Sequence, residues 1–273
     1  MYSSSYKTPS TALNKMLLIL LPAMIQTAWK DLLQHYSPKT IVFFGTLLVQ
    51  LISFWAVCAI YISLPYLFPS FSARHKLQKQ EKQPTIMEIR ECCGVVLRNQ
   101  LVSFSVQLAI IALRPAKPPL YRCDLTLPGP AEVIRDITLG MIIREILFYY
   151  IHRLFHHPSI YPVIHKPHHR FTAPVALSAQ YASVAEHLLA NVMPIVLPPV
   201  ILNSHIVTFF LFMALELAKS AAVHSGYDFL AASARNHDLH HEKFVVNFGL
   251  IGLLDWLHKT DGRNRADGKA KTQ

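Results

Sequence analysis

The sequence predicts an all-α integral membrane protein with transmembrane helical hairpins and a helical cap that carries a two-metal site. Three observations predict this fold. Of the 273 residues, 52% are hydrophobic and 15% are charged, whereas soluble domains carry about 25% charged residues. Several apolar segments are long enough to form helices in a bilayer. Twelve of the fifteen histidines lie between His152 and His241.

The net charge of +10 does not predict a nucleic-acid partner. Lysine and arginine are scattered between the apolar segments and at both ends of the chain, without an aromatic-basic stripe. Cytosolic loops of membrane proteins carry such an excess. We therefore expect the charge to face anionic lipid headgroups or an acidic protein.

Residues 14–133 are predicted to anchor the chain in the membrane, after a polar, disordered segment over residues 1–13. The first apolar run, Met16–Trp29, has about fourteen residues, too few to cross roughly 30 Å of hydrocarbon as a helix. It is expected to lie in the membrane interface.

The second apolar run, Ile41–Leu67, contains no charged residue and is long enough to cross the bilayer. Pro65 and Pro69 mark its end. The basic connection that follows, residues 74–90, is typical of a cytosolic loop.

The third apolar run, Cys92–Leu113, is interrupted by Arg98, Asn99 and Gln100. It is predicted to be either a weaker span or an embedded helix whose polar residues face protein. A proline-rich loop, residues 115–130, follows it.

Residues 134–155 have helical periodicity that leads into the first histidines. This pattern puts one face of a helix in contact with both the membrane and the metal site. The residues of that face are Ile134, Thr138, Met141, Ile142, Glu145, Tyr149, His152 and His156.

Two further apolar segments, residues 188–202 and 206–223, are predicted to form a hairpin that returns the chain to the side where it started. The hairpin lets the second and third histidine clusters share a site. The number of full spans stays between two and four, and residues 263–273 are predicted to form a basic tail.

Three histidine clusters, over residues 152–157, 165–169 and 237–241, have spacings that place imidazoles on one side of a helix. Positions three and four residues apart share a helical face, so each cluster can point two or three imidazoles at one place. Eight such donors exceed what one transition metal binds. The sequence therefore predicts two metals.

The ligand types narrow the choice of metal. A structural zinc site often includes cysteine, and a carboxylate-bridged di-iron bundle carries Glu-x-x-His pairs, neither of which occurs near these clusters. An all-imidazole site with open positions fits iron, O₂ and a lipid. Histidines and cysteines outside the clusters are predicted to be structural residues and not metal ligands. They are His35, His75, His205, His258 and the reduced thiols Cys58, Cys92, Cys93 and Cys123.

Together, the motifs of residues 134–262 resemble the membrane fatty acid hydroxylase/sterol desaturase superfamily, in particular proteins related to C4-methylsterol oxidases. The resemblance rests on three histidine boxes and on the segments that flank them. They are His152-x3-His156, His165-x2-His168-His169, His237-x2-His240-His241, Phe148-Tyr149-Tyr150, Thr172-Ala173-Pro174, His224-Ser225-Gly226-Tyr227, Asn247-Phe248-Gly249 and Leu254-Asp255-Trp256-Leu257-His258.

The resemblance implies a multi-pass enzyme of the endoplasmic reticulum membrane whose metal site faces the cytosol. It implies two Fe ions and O₂ as cofactors, with electrons from NAD(P)H passing through cytochrome b5 and its reductase. The expected reaction is hydroxylation, oxidation or desaturation of a membrane lipid. Carried over by position, the metal ligands would be His152, His156, His165, His168, His169, His224, His237, His240 and His241.

A ligand imidazole needs its second ring nitrogen fixed by a carboxylate or a carbonyl. Glu145, about two helical turns before His152, is the acid predicted for this role and the candidate catalytic residue. The alternative is a helix-surface acid near the headgroups. His157 is predicted to support a ligand, and the other acids available are Glu186, Asp228, Asp238 and Asp255.

One position departs from the family pattern. Relatives usually have Ala-His-Pro-x-Glu where this chain has Ala182-Ser183-Val184-Ala185-Glu186, so Ser183 replaces a histidine. His187 lies four residues further on and would replace the missing ligand only if the site shifted towards it.

The leading functional hypothesis is a non-haem di-iron monooxygenase or oxidase of the EC 1.14 type that acts on a sterol intermediate. A fatty acyl or sphingolipid hydroxylase is the alternative within this class. The alternative from another class is a non-catalytic membrane scaffold that binds lipid or metal, and Ser183 is the residue that favours it.

Overall fold

The computed structural model of the chain describes residues 9–230 and 232–262, and every regular element in that part is helical. The all-α prediction is therefore confirmed. Predictions for residues 1–8 and 263–273 lie outside the described residues. In chain order the helices are α1 (Pro9–His35), α2 (Pro38–Leu67), α3 (Pro69–His75), α4 (Ile86–Leu113), α5 (Pro130–Phe155), α6 (Tyr161–Ile164), α7 (Val184–Ile201), α8 (Ile206–Val223), α9 (Ala232–Lys243) and α10 (Leu253–His258).

Four of these helices, α2, α4, α7 and α8, are long and apolar enough to cross a membrane. This number is the upper end of the predicted range. Both α2 and α7 contain a π-helical turn, over Leu51–Ala56 and His187–Val192 respectively.

Helix α1 is longer than the apolar run that predicted it. It begins at Pro9, so the prediction of disorder is wrong for residues 9–13. Proline suits the first turn of a helix because its missing N–H would have no partner there. The helix docks on the loop before α5, where Trp29 Nε1 donates to the carbonyl of Asp124 at 2.8 Å.

The first two spans begin at side-chain caps. The hydroxyl of Ser37 caps α2, which ends at Leu67 as predicted. Helix α4 begins six residues before the predicted segment 92–113, because Thr85 and Glu88 form a capping box at its start.

The polar residues within α4 face protein, as one of the two alternatives predicted. Asn99 Nδ2 donates to the carbonyls of Gln180 and Ala182 at 3.2 and 2.9 Å. Gln180 Oε1 accepts from Gln100 Nε2 at 2.8 Å and from Gln50 Nε2 at 3.3 Å. These three glutamines, which we call the glutamine cluster, join α2 and α4 to the turn Ala176–Gln180.

The face predicted for α5 packs on protein only in its second half. Glu145, Tyr149 and His152 are buried, whereas Ile134 and Ile142 are 66% and 39% exposed. The buried residues of the first half are Asp136, Gly140 and Arg144. In a membrane protein apolar side chains also face lipid, so hydrophobic periodicity there does not identify the side that packs on protein.

Helices α7 and α8 form the predicted hairpin. His205 caps α8 by accepting the N–H of Val207 on Nδ1 at 3.2 Å, which confirms its structural role. Helix α8 also binds α5 through a buried ion pair between Arg144 and Glu216. The pair fixes the helix of the first histidine box against the helix that precedes His224.

The ion pair of Arg144 with Glu216 gives a test of this arrangement. Glu216→Ala should lower the free energy of unfolding by about 3–5 kcal/mol, because it leaves a buried, uncompensated guanidinium. The double variant Arg144→Met/Glu216→Leu should be closer to the wild type than Glu216→Ala is, since no charge is left unpaired. Thermal unfolding in detergent measures both. An equal loss of unfolding free energy in the two variants would show that the unpaired guanidinium is not the cause.

Candidate metal centre

Nine buried or half-buried imidazoles gather where α5, α8 and α9 meet the turn His168–Arg170. They form two groups, and within each group all candidate donor nitrogens lie within 4.8 Å of one another. The nine are those that the family resemblance implied. Group A contains His152, His156, His165, His169 and His240, and group B contains His168, His224, His237 and His241.

The spacing between nitrogens within group A suits a shared metal ion. His165 Nε2 lies 3.0 Å from both His152 Nε2 and His169 Nε2, and His156 Nε2 lies 3.3 Å from His169 Nε2. Two nitrogens bound at about 2.0–2.1 Å to one ion, at roughly a right angle, are about 2.9 Å apart. Group A therefore has the dimensions of an imidazole metal site.

Group B has the same dimensions. His237 Nε2 lies 2.7 Å from His224 Nε2 and 3.0 Å from His241 Nε2. The ring centroids of His168 and His241 are 4.9 Å apart. The groups touch, since the ring centroids of His169 and His241 are 4.7 Å apart.

The two His-x-x-His-His boxes exchange one imidazole each. In the second box, His165 and His169 belong to group A and His168 belongs to group B. In the third box, His237 and His241 belong to group B and His240 belongs to group A. Each box thus gives its i, i+4 pair to one group and its i+3 imidazole to the other.

Backbone carbonyls hold several of these rings. His152 Nδ1 donates to the carbonyl of Phe248 at 2.7 Å, and His240 Nδ1 donates to that of Val246 at 2.7 Å. A neutral imidazole that donates through Nδ1 carries its lone pair on Nε2. His240 Nε2 is buried and has no hydrogen-bond partner among the described residues, as expected of a nitrogen that binds a metal.

Backbone carbonyls also hold two rings of group B, and the carboxyl group of Glu186 holds one ring of group A. His168 Nδ1 donates to the carbonyl of Tyr181 at 3.2 Å, and His224 Nδ1 donates to that of Ser220 at 2.8 Å. His165 Nδ1 lies 2.8 Å from Glu186 Oε1, and both side chains are buried. Glu186 is therefore the acid that orients a candidate ligand.

The imidazoles are neutral at pH 7 and ready to bind metal. Burial lowers the pKa of His168 to about 4, and burial together with the nearby His168 lowers the pKa of His224 to about 3. Burial and neighbouring imidazoles also lower the pKa of His165 and His169. Because a metal binds the deprotonated ring, these shifts favour coordination.

Glu145 binds a loop, whereas the sequence predicted that it would bind an imidazole. Its carboxylate accepts the N–H groups of Leu250, Ile251 and Leu254 at 2.7, 3.0 and 3.3 Å, so it holds the loop after the third box. The predicted pairing of Glu145 with an imidazole is wrong, because the face that it shares with His152 meets this loop. Its catalytic role remains a prediction.

The prediction that His157 supports a ligand is also wrong, and His187 does not replace a ligand. His157 is exposed and accepts the N–H of Ser159 at 3.4 Å, so it supports neither group. His187 belongs to neither group, because its Nε2 lies 2.9 Å from Ser103 Oγ. Ser183 caps α7 by accepting the N–H of Glu186 at 3.2 Å. The nine imidazoles gather without a histidine at position 183.

Two cavities adjoin the histidine groups. The metal cavity, about 270 Å³, is bordered by both groups. The apolar cavity, about 210 Å³, lies between the four candidate spans. Arg144, Ala179, Asn191 and Ser220 line both, so the two cavities share a wall.

Comparison with known proteins agrees with this site. Residues 137–260, which include all nine imidazoles, match the profile of the fatty acid hydroxylase family. Fatty acid hydroxylase domain-containing protein 2 of Homo sapiens is 32% identical over 243 residues, which cover 86% of this chain and 72% of the human protein. The chain belongs to the fatty acid hydroxylase family.

Two other family members have more specific names. Fatty acid hydroxylase ahd1 of Mycosarcoma maydis is 34% identical over 71% of this chain and 50% of its own length. C-4 methylsterol oxidase erg25 of Schizosaccharomyces pombe is 34% identical over 69% of this chain and 67% of its own. No solved structure matches the chain.

The division of the imidazoles into two groups predicts separate metal losses. His152→Ala/His165→Ala should empty group A, and His224→Ala/His237→Ala should empty group B, so each variant should retain about one metal of two. Elemental mass spectrometry of the purified protein measures metal per chain. His157→Ala is the matched control and should retain both. Loss of both metals from each double variant would contradict two separate groups.

Glu186 should affect metal affinity without being a ligand. Glu186→Gln should weaken metal binding roughly 10- to 100-fold, because the amide orients His165 less firmly than the carboxylate does. Competition with a chelator measures the change. Asp228→Asn, which alters a carboxylate that pairs with His75, is the control. Unchanged affinity in Glu186→Gln would exclude the role.

Proposed function

We propose that this protein is an iron- and O₂-dependent lipid oxidoreductase that acts on a sterol intermediate. The observation that carries the proposal is the wall shared by the two cavities. The apolar cavity between the candidate membrane helices would hold an insoluble lipid, and the shared wall would place that lipid beside the cavity that the imidazoles border. Apolar cavities with a few placed polar groups are typical of ligand sites.

Iron fits the donor set. Imidazole suits iron among other transition metals, and two groups of four and five imidazoles match a di-iron centre. When bound, two iron ions would supply the redox chemistry of O₂. The balanced hydroxylation consumes R–H, O₂, two electrons and two protons, and yields R–OH and H₂O.

The residues of the chain have separate roles in that reaction. The carbonyls of Phe248, Val246 and Tyr181, together with Glu186, hold the rings through Nδ1, so that their Nε2 atoms would be free to bind the ions. Burial excludes water that would compete for the metals or quench reactive species. Helices α2, α4, α7 and α8 form the apolar cavity through which the lipid would reach the centre.

Relatives support a sterol or an acyl lipid as the substrate class. The name of the fission-yeast relative specifies a C-4 methylsterol oxidase, and that of ahd1 specifies a fatty acid hydroxylase. We place the sterol first, with a fatty acyl or sphingolipid substrate as the alternative. A non-catalytic scaffold has less support, because all nine imidazoles are arranged as donors despite Ser183.

The basic connection 74–90 supports a cytosolic orientation and an acidic electron donor. Gln78 Nε2 donates to the carbonyl of Thr172 and to Asp238 Oδ1, both at 2.7 Å, so the connection lies against the histidine boxes. Basic loops favour the cytosolic side of a membrane. We propose that the metal centre faces the cytosol in the endoplasmic reticulum membrane and receives electrons through cytochrome b5 and its reductase.

The test is reconstitution with defined lipids. The iron-loaded protein, with NADPH, reductase and cytochrome b5, should convert a 4-methylsterol into an oxidised product that incorporates ¹⁸O from ¹⁸O₂. Mass spectrometry detects the product. His168→Ala/His169→Ala should abolish it, because one ligand is lost from each group. Absence of any oxidised sterol or acyl lipid from an iron-loaded, reduced sample would support the scaffold instead.

A further inference from the structure

The helices of the membrane bundle connect two ends, which we call the metal end and the hairpin end. The hairpin end is the junction of α7 and α8, at residues 202–205. The metal end holds the histidine groups: Glu186, at the start of α7, binds His165, and His224 directly follows α8. Helix α7 therefore runs from the metal end to the hairpin end, and α8 runs back.

Helix α4 runs in the same direction as α7. It starts at the metal end, because Glu91 forms an ion pair with Arg170 of the turn that carries the second histidine box. Just after its last residue, the carbonyl of Arg114 accepts from Lys39 Nζ, at the start of α2, at 2.5 Å. The start of α2 packs against the start of α8 in one hydrophobic cluster. Helix α4 therefore ends at the hairpin end.

Two successive crossings in the same direction require a crossing in the opposite direction between them, and α5 is in the position to make it. At its start, Glu132 pairs with Arg122, whose Nε donates to the carbonyl of Asn203 at the hairpin end, at 2.9 Å. Near its other end it carries His152 of group A. The other helices and helical turns between Leu113 and Val184, a stretch that the structure describes throughout, have five residues or fewer.

The composition of α5 does not reveal this crossing, because its central charges face protein. Arg144 and Glu145 are the only acidic or basic residues, histidine aside, between Arg135 and Arg153, and both are buried. Arg144 pairs with Glu216 of α8, and Glu145 accepts three N–H groups of the loop after the third box. Charged residues of membrane helices usually face the protein interior and pair there. Mean hydropathy counts these two as if they faced lipid.

The exposed side of α5 suits hydrocarbon. The 26 residues of the helix extend about 39 Å, more than the roughly 30 Å of a hydrocarbon core. Arg135 and Arg153 are exposed and lie about 27 Å apart along the axis, so each can reach the headgroups at one membrane surface. The exposed residues between them carry no charge. They are Thr138, Leu139, Ile142, Ile146 and Tyr150.

We infer that α5 is a fifth membrane crossing and that its exposed apolar residues face the hydrocarbon of the bilayer. These residues, Leu139, Ile142, Ile146 and Tyr150, form what we call the lipid stripe. With α2, α4, α7 and α8 the chain crosses five times, so the segment that joins α1 to α2 and the metal centre lie on opposite sides of the membrane. The inference concerns the path of the chain and is independent of the proposed reaction.

Cysteine labelling in sealed, reduced microsomes compares the two ends of α5. Each variant has one cysteine, in a background in which the four native cysteines are alanine. Lys117→Cys lies before α5 and Ser159→Cys after it, both at exposed positions. A membrane-impermeant maleimide should label one of them directly and the other only after permeabilisation. Lys79→Cys, before α4, should be labelled like Ser159→Cys, because α4 and α5 together return the chain to the same side.

The comparison does not depend on which compartment the metal centre faces. Labelling of Lys117→Cys and Ser159→Cys from the same side would overturn the inference, and so would labelling of Lys79→Cys and Ser159→Cys from opposite sides. Bound metal per chain identifies the variants that fold. Ala116→Cys and Val163→Cys repeat the test at neighbouring exposed positions, so one misfolded variant does not prevent a decision.

A second measurement identifies what covers the lipid stripe. Ile146 is 43% exposed, yet Ile146→Cys should stay unlabelled by the maleimide before and after permeabilisation, because lipid excludes the reagent. In wild-type protein, a carbene-generating reagent dissolved in the acyl chains should modify the stripe and leave the buried Tyr149 unmodified. Aqueous labelling of Ile146→Cys would overturn the inference. Protection of the stripe from both reagents would indicate a second copy or another protein and would also overturn it.

Discussion

The structure depends on keeping nine imidazoles neutral and at least half-buried, with the donor nitrogens of each group close together. Burial makes each ring a poor base, and carbonyls or a carboxylate on the outside fix where several of them carry the proton. Two helices and the loop after α9 supply these acceptors. Val246 and Phe248 follow α9, Ser220 lies on α8, and Glu186 lies at the start of α7.

The exchange of imidazoles between the boxes accounts for the repeated spacing of the clusters. A His-x-x-His-His segment provides two imidazoles one turn apart and a third on a neighbouring side of the helix. When two such segments pack face to face, the third imidazole of each reaches the group formed by the other. The ring centroids of His169 and His240, 4.9 Å apart, lie at this crossing.

The sequence predicted the helical class and the hairpin, because long apolar runs are compatible with few other structures. The histidine spacings predicted two metals, and the family resemblance implied the nine members of the two groups, including His224 outside the three boxes. The sequence could not predict which imidazoles share a group, since that depends on how separate helices pack. The partners of the ring nitrogens could not be predicted either, because every residue has a backbone carbonyl and the sequence does not indicate which one an imidazole contacts. Glu145 was misassigned for a related reason: its helical face was correct, but the loop that covers it comes from a hundred residues later.

The glutamine cluster limits how this protein can be divided. Gln180 lies within the residues that match the family profile, whereas Gln50 and Gln100 lie on α2 and α4, in the predicted membrane anchor, and all three meet in one wall. The anchor is therefore part of the chamber that would hold the lipid. A gene fusion that moved residues 134–262 onto another anchor would keep the metal donors but lose half of that chamber. We expect such proteins to have evolved with both halves inherited together, and changes in lipid preference to accumulate in the anchor.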